Sequence, residues 1–283
     1  MTTACWIGVA SVALFFVLSL MGVKICYSML ASSVFGLLLL NGFSGTVAVL
    51  STQLFSMISS YDYAVLPMFI LMATIITETG MGTSLYASCR TWLGHLPGGL
   101  CLATIIACAV FAAVTAFPWA SIMAVGAIAL PEMARYKYNK RMALGSIAAG
   151  SELGDLIPPS SMFITYGMMT GTSIGTLLIS GIVPGLLMAA LYCLVIFGWC
   201  KLNPAAGPRG PKTTAKAKLM ALKDVWALLV VIVFVMGGIL IGICTPTEAG
   251  ALGATMAFII ACFQKKMSLK VFTNILTSAG RSR

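Results

Sequence analysis

A chain of 283 residues, 60% of them hydrophobic and only 8% charged, lies far from the roughly 25% charged residues of ordinary soluble domains; this excludes a water-soluble globular fold and predicts a polytopic membrane protein. The formal charge of +10 does not point to nucleic acid, because the basic residues sit in short loops between apolar runs, the pattern that marks cytoplasmic loops. Nine cysteines, scattered singly with no CxxC pair and no histidine cluster, read as polarizable packing residues rather than metal ligands or a disulfide framework. With about 20 apolar residues per crossing, the chain holds about eight or nine spans, hairpin arms included, and leaves nothing over for a soluble domain.

Residues 5–22 form the first apolar run. "MTTACWIGVA" has no basic n-region and no A-x-A cleavage site follows, so the run reads as a span and not a signal peptide. Lys24 marks a short turn and residues 25–42 form a second span, whereas 43–61 mix Gly, Ser, Thr and Gln with large apolar residues, which suits a helix at the interface or packed on the bundle. "YDYAVLPMFILMATIITETG" from Tyr61 is a third span with Pro67 inside it, tolerated where neighbours re-satisfy the freed carbonyl. Residues 81–97 carry Arg90, Trp92 and His95 and read as an amphipathic connector, with His95 a satisfied interfacial residue rather than a proton relay. Residues 1–97 thus form scaffold spans and a connector.

Residues 98–131 are apolar but cut by "TAFPWAS" around Pro118. Each half has about fifteen residues, too short to cross a ~30 Å core at 1.5 Å per residue, so a re-entrant helical hairpin is expected, its broken backbone buried in protein or lining a cavity. The loop "EMARYKYNKR" leads into residues 142–200, a discontinuous helix followed by a span at 172–200; a basic loop at 201–223 and spans at 224–244 and 249–263 complete the pattern. Placing Lys24, Arg90, the cluster from Arg135 to Arg141, Lys201 to Lys223, and Lys265 to Lys270 all in the cytoplasm requires an even number of crossings between groups, which this arrangement supplies. The N-terminus and "TPTEAG" at 245–250 then face outward, and Thr245 with Glu248 reads as a capping box.

"GSELGDLIPPSS" at 150–161 is the densest polar feature. A proline removes a backbone donor and drives the preceding residue out of the helical region, so Ile157-Pro158-Pro159 should open the helix near mid-membrane. The end at Leu153–Ile157 would aim unpaired carbonyls at the break and suit a small cation; the start near Ser160 and Ser161 would offer N–H groups and a positive dipole end suited to an anion. Secondary transporters place coupling ions and substrates at discontinuous helices of this kind; a mere proline kink is the alternative. Glu152 and Asp155 lie three apart on one helical face, and acids within the bilayer are costly enough to mark function. Cation or proton coupling stands against a structural or solvated role, including pairing with Arg141. No HExxH motif and no plausible histidine base argues for an enzyme.

Through "LPMFILM", "GHLPGGLCLATIIACAVFAA", "AIALPEMARYKYNKRMALGSIAAG", "LGDLIPPSSMFITYG", "GTSIGTLLISGIVPGLLMA" and "TPTEAGALGA", the chain resembles the large membrane subunit of tripartite ATP-independent periplasmic (TRAP) transporters over about residues 5–265. The resemblance implies an all-α polytopic membrane protein, the first inverted repeat of an elevator-type ion transporter with a re-entrant hairpin and a discontinuous helix. It also implies import of an organic acid, C4-dicarboxylate-like or another carboxylate, across the bacterial inner membrane. Sodium would be the coupling ion, with no tightly bound cofactor. A periplasmic substrate-binding protein and a small four-helix membrane subunit would be the partners, in the lipid bilayer and without nucleic acid. Carried onto this sequence, the hairpin tip from Thr115 to Ser121 and the break from Gly154 to Ser161, with Pro158, Pro159 and Ser160 between, would form the ion and substrate site, sodium being held by backbone near Thr115, Gly154 and Ile157.

The chain departs from the family pattern in three ways. "VTAFPWAS" replaces a tip of the Gly-Ser-Ser type with bulky Phe117 and Trp119, and Glu152 and Asp155 are additions around a break usually flanked by neutral residues. The family's large subunit has two inverted repeats, whereas residues 224–283 reach only the start of a second. The expectation is a split-gene or truncated fragment acting with a second chain, or a non-transporting membrane scaffold, rather than a complete autonomous transporter.

Overall fold

The computed structural model describes residues 3–281 apart from Ser60, Phe117, Pro211 and Lys212. Every regular element among them is helical, as an apolar chain in lipid requires when each backbone group must be satisfied within its own segment. In order, the α-helices are α1 (Thr3–Leu20), α2 (Ile25–Ser59), α3 (Val65–Glu78), α4 (Met81–Leu93), α5 (Gly99–Thr115), α6 (Pro118–Arg135), α7 (Lys140–Glu152), α8 (Ser161–Thr170), α9 (Ile174–Leu202), α10 (Ala215–Ile241), α11 (Pro246–Phe263) and α12 (Leu269–Arg281). Five of them, α1, α2, α9, α10 and α11, are long and apolar enough to cross a membrane, and α3 with α4 adds a sixth candidate bent by 67°. The protein is an all-α polytopic membrane protein.

Residues 1–60 and 61–283 form two compact units. In the first, α1 packs against α2 yet buries none of its own side chains. Close approach is permitted by Gly36, where an added Cβ would lie 2.6 Å from Ser11 Oγ. The expected boundary at residue 42 is real but is a kink, not a turn. Gly42 takes φ 69° inside α2, a conformation open to glycine at no steric cost, and Thr46 Oγ1 donates to the freed Gly42 carbonyl at 2.7 Å.

In the second unit α5 is buried along nearly its whole length, from Gly99 to Thr115, and touches α3, α4, α6, α7, α9 and α10. A helix apolar all round belongs inside; α5 is short because it runs into protein, and it packs against α6 as the arms of a hairpin do. Gly80, with φ 71°, sits at the 67° bend between α3 and α4. The connector α4 buries Met81, Leu85 and Tyr86 against neighbours that include α5 and α10. The expected capping box at Thr245 and Glu248 is present, with Thr245 N–H donating to Glu248 Oε2 at 2.8 Å and Glu248 N–H to Thr245 Oγ1 at 3.3 Å.

The basic loop expected over 201–223 is shorter, because α9 continues to Leu202 and α10 starts at Ala215. It is also tied down. Gly98 N–H donates to Gly207 O at 3.0 Å, Asn139 N–H to Ala206 O at 3.1 Å and Gly210 N–H to Gly94 O at 2.8 Å. Tyr138, in the α6–α7 turn, donates its phenol to Pro208 O at 2.8 Å and accepts from Leu100 N–H at 3.3 Å. Burial pushes that phenol up to about 12, so it stays a donor throughout the physiological range. Nearby, His95 does not meet the expectation of a satisfied residue: its Nδ1 is buried without a hydrogen-bond partner among the described residues.

Candidate functional site

The candidate site residues cluster at two helix breaks. The hairpin breaks at Ala116, which takes φ 60° and ψ 1° and closes α5 with an N–H bond to Ala112 O at 3.2 Å. Pro118 opens α6, at the first helical position where proline costs no hydrogen bond. The second break begins where α7 tightens into a 3₁₀ turn at Leu153–Asp155. It passes through Pro158 and Pro159, joined by a cis peptide bond, and ends at Ser160. That serine takes extended geometry and its Oγ accepts from Phe163 N–H at 3.3 Å, the usual N-cap device.

The fold joins the two breaks. Ser161 N–H, the first amide of α8, donates to the Ala116 carbonyl across 3.1 Å. A hydrogen bond thus runs from the start of the second half-helix to the hairpin tip, 45 residues earlier by the numbering (161 − 116). The helices around the tip, α5 and α6, also contact the 3₁₀ turn. Behind the break lies α9: a Cβ added at Gly181 would stand 2.5 Å from Leu156 O, and one added at Gly185 2.8 Å from Ile157 Cγ1. The opened backbone rests on a glycine pair spaced four apart, the small-xxx-small pattern that lets membrane helices approach closely.

Some expectations for this site need correction. The unpaired amide expected at Ser161 is taken by Ala116, and that of Phe163 by the Ser160 hydroxyl. Of the carbonyls expected to be free, Leu153 O accepts from Leu156 and Ile157 N–H at 3.2 and 2.7 Å, and Asp155 O accepts from Ser160 Oγ at 2.7 Å. The break is therefore internally bonded, not a bare pair of helix ends. Nor is Arg141 paired with the acids; the one ion pair among the described residues joins Arg90 on α4 to Glu132 on α6.

The predicted residues fall into two groups. Thr115, Gly154, Pro158, Pro159 and Ser160 are buried at or beside the breaks, while Asp155, Ile157 and Ser161 are half-buried. Thr115 donates its hydroxyl to Phe111 O at 3.1 Å. Ser121, in the first turn of α6, is fully buried, and its Oγ has no hydrogen-bond partner among the described residues. Glu152 stands apart, exposed at the end of α7. Phe117 lies outside the described residues. Among those described, no three or more His, Cys, Asp or Glu side chains gather as a metal site; an alkali ion here would be held by carbonyl and hydroxyl oxygens, as at the unwound helices of transporters. The sequence places Ala116 within the tip from Thr115 to Ser121 without singling it out, and the Gly181–Gly185 pair went unremarked although its spacing stands plainly in "GIVPG".

The sequence model for the tripartite ATP-independent periplasmic transporter, DctM component, matches residues 12–283. The chain belongs to this family. Among curated members, a C4-dicarboxylate TRAP transporter large permease protein of Rhodobacter capsulatus is 32% identical over 250 residues, covering 83% of this chain and 56% of the relative. An ectoine TRAP transporter large permease protein of Halomonas elongata is 35% identical over 237 residues, covering 83% and 54%. A 2,3-diketo-L-gulonate TRAP transporter large permease protein of Escherichia coli is 29% identical over 238 residues, covering 83% and 55%. The chain thus spans about half the length of these TRAP permeases, and their names describe transporters, not enzymes.

Proposed function

We propose that this chain supplies the first ion- and substrate-handling half of a TRAP permease that imports an organic acid, coupled to sodium, across the bacterial inner membrane. The observation that carries the reading is the bond from Ser161 N–H to the Ala116 carbonyl, which brings the broken hairpin and the broken helix to one place. Beside them stands the buried Ser121 hydroxyl, unpartnered among the described residues. A small cation would take that oxygen together with backbone oxygens around Thr115, Gly154 and Ile157. The relatives named above handle a dicarboxylate, a diketogulonate and ectoine, compact polar solutes bearing carboxylates. A periplasmic binding protein would deliver the solute, a small membrane subunit would brace the permease, and the hairpin with the discontinuous helix would travel as the moving part of an elevator. Each of these transporter roles uses both repeats, and the chain spans about half the length of the relatives it matches.

The test is uptake of labelled organic acids by cells producing the chain together with a second repeat, the binding protein and the small subunit. Uptake should require external sodium and fall at least tenfold with Ser121→Ala, while the amount of folded protein in the membrane stays the same. Sodium-independent uptake, or full activity in Ser121→Ala, would sink the ion assignment. No uptake with any combination would favour a non-transporting scaffold.

A further inference from the structure

The basic end of α7 carries a feature that the transport site does not use. At Gly150, α7 lies tight on α5, where an added Cβ would be 3.2 Å from Cys108 Cβ. Five residues earlier an added Cβ at Gly145 would meet nothing within 4 Å. Gly145 lines a groove of about 470 Å³ between α7 and α9, floored by Ile105 of α5. Its walls are apolar apart from Ser146 and the Tyr192 phenol, with Val195 and Trp199 lining the α9 side. At the mouth stand Asn139 and Arg141. The Asn139 side chain is occupied in capping α7, accepting from Arg141 N–H at 2.9 Å, and the Arg141 guanidinium has no acid partner among the described residues.

We infer that this groove binds one anionic phospholipid from the leaflet facing the basic loops, its phosphate at Arg141 and an acyl chain laid along α7 and α9. The occupant must be amphiphilic, because the groove is greasy along its length and cationic only at one end. It must be anionic, because Arg141 is flanked in sequence by Lys140, and Lys201 follows Trp199 by two residues. Basic pockets between membrane helices on this side select anionic head groups, and Trp199 has the position of an interfacial aromatic. From Arg141 to Ala149 the helix rises about 12 Å, enough to line a substantial part of an acyl chain. The inference needs only a membrane-embedded chain and does not depend on the proposed transport.

Native mass spectrometry of the full chain, released from mild detergent with equal phosphatidylglycerol and phosphatidylcholine, tests it. The expected result is a single retained lipid with about a fivefold preference for phosphatidylglycerol, the worth of one basic residue at a membrane surface. Arg141→Gln, an exposed change, should bring the ratio to near one, and Gly145→Trp, which fills open space, should remove both adducts. Lys216→Gln, exposed on α10, should change nothing. A wild-type chain that retains both lipids equally overturns the proposal, as does a preference untouched by Arg141→Gln. If the groove is instead the seat of another membrane helix, neither lipid is retained by wild type or variants, and that too overturns it.

Discussion

The two helix breaks meet in space but are made in opposite ways. At the hairpin tip a single residue, Ala116, holds a left-handed conformation that costs a non-glycine residue about 1–2 kcal/mol. Nothing in its side chain asks for that; the conformation is imposed by a fully buried α5 on one side and Pro118 on the other. The break between α7 and α8 is written in its own residues. Two prolines forbid the helix, and the Ser160 hydroxyl bonds both Asp155 O and Phe163 N–H. One break is held by packing and the other by local chemistry, so substitutions should divide along that line.

The largest effect is expected where packing and local chemistry meet. Gly181→Ala would place its methyl 2.5 Å from Leu156 O, a backbone atom that cannot turn away, and overpacking of this kind costs about 1–3 kcal/mol. Thermal unfolding in detergent should show it clearly less stable than Gly185→Ala, whose nearest contact is a movable Ile157 methylene; equal midpoints would mean that α9 does not support the break.

Ser160→Ala comes next. Loss of the cap should cost about 1 kcal/mol, and amide exchange over residues 153–163 should quicken while the hairpin tip stays protected; Ser160→Thr should restore most of it. Rapid exchange at Ala112–Ala116 in the same variant would show instead that the Ser161 bond governs both breaks together.

Ala116→Gly should move the other way by a smaller amount. Relief of the left-handed cost is partly offset by about 0.8 kcal/mol for a lost buried methyl, leaving a slight gain in midpoint, whereas Ala116→Val should lower it. If glycine destabilises, the tip is not strained in the way its φ implies. The smallest effect belongs to Glu152→Gln, an exposed side chain without an ion-pair partner among the described residues; its unfolding midpoint should match the wild type, and a clear shift would call for a partner that this chain alone lacks.

Much of this arrangement was legible beforehand because its causes are local. Composition announced lipid as the solvent, proline positions located both breaks, and Thr-x-x-Glu at 245–248 announced the start of α11. Family blocks such as "LGDLIPPSSMFITYG" carried the relationship to TRAP permeases. Other features escaped because no neighbouring residue encodes them. Arg141 looked available to Glu152 and Asp155, yet the α7 N-terminus faces a groove beside α9 instead. The segment after α9 read only as a basic loop, yet Ala206, Gly207, Pro208 and Gly210 bond back to the α4–α5 and α6–α7 turns. At the break the Ser161 amide takes a distant partner, the Ala116 carbonyl, while Leu153 O, Asp155 O and the Phe163 amide bond within residues 153–163.

By itself the amino-acid order determined that this is a bundle of membrane helices and where those helices must break, since solvent preference and proline chemistry act within a few residues. Only the tertiary structure decided that the Ala116 carbonyl receives the Ser161 amide, that Gly181 and Gly185 support the opened turn, and that α7 and α9 leave a groove beside Gly145. These are matters of which helix lies against which, and they depend on side-chain volumes summed over many distant contacts.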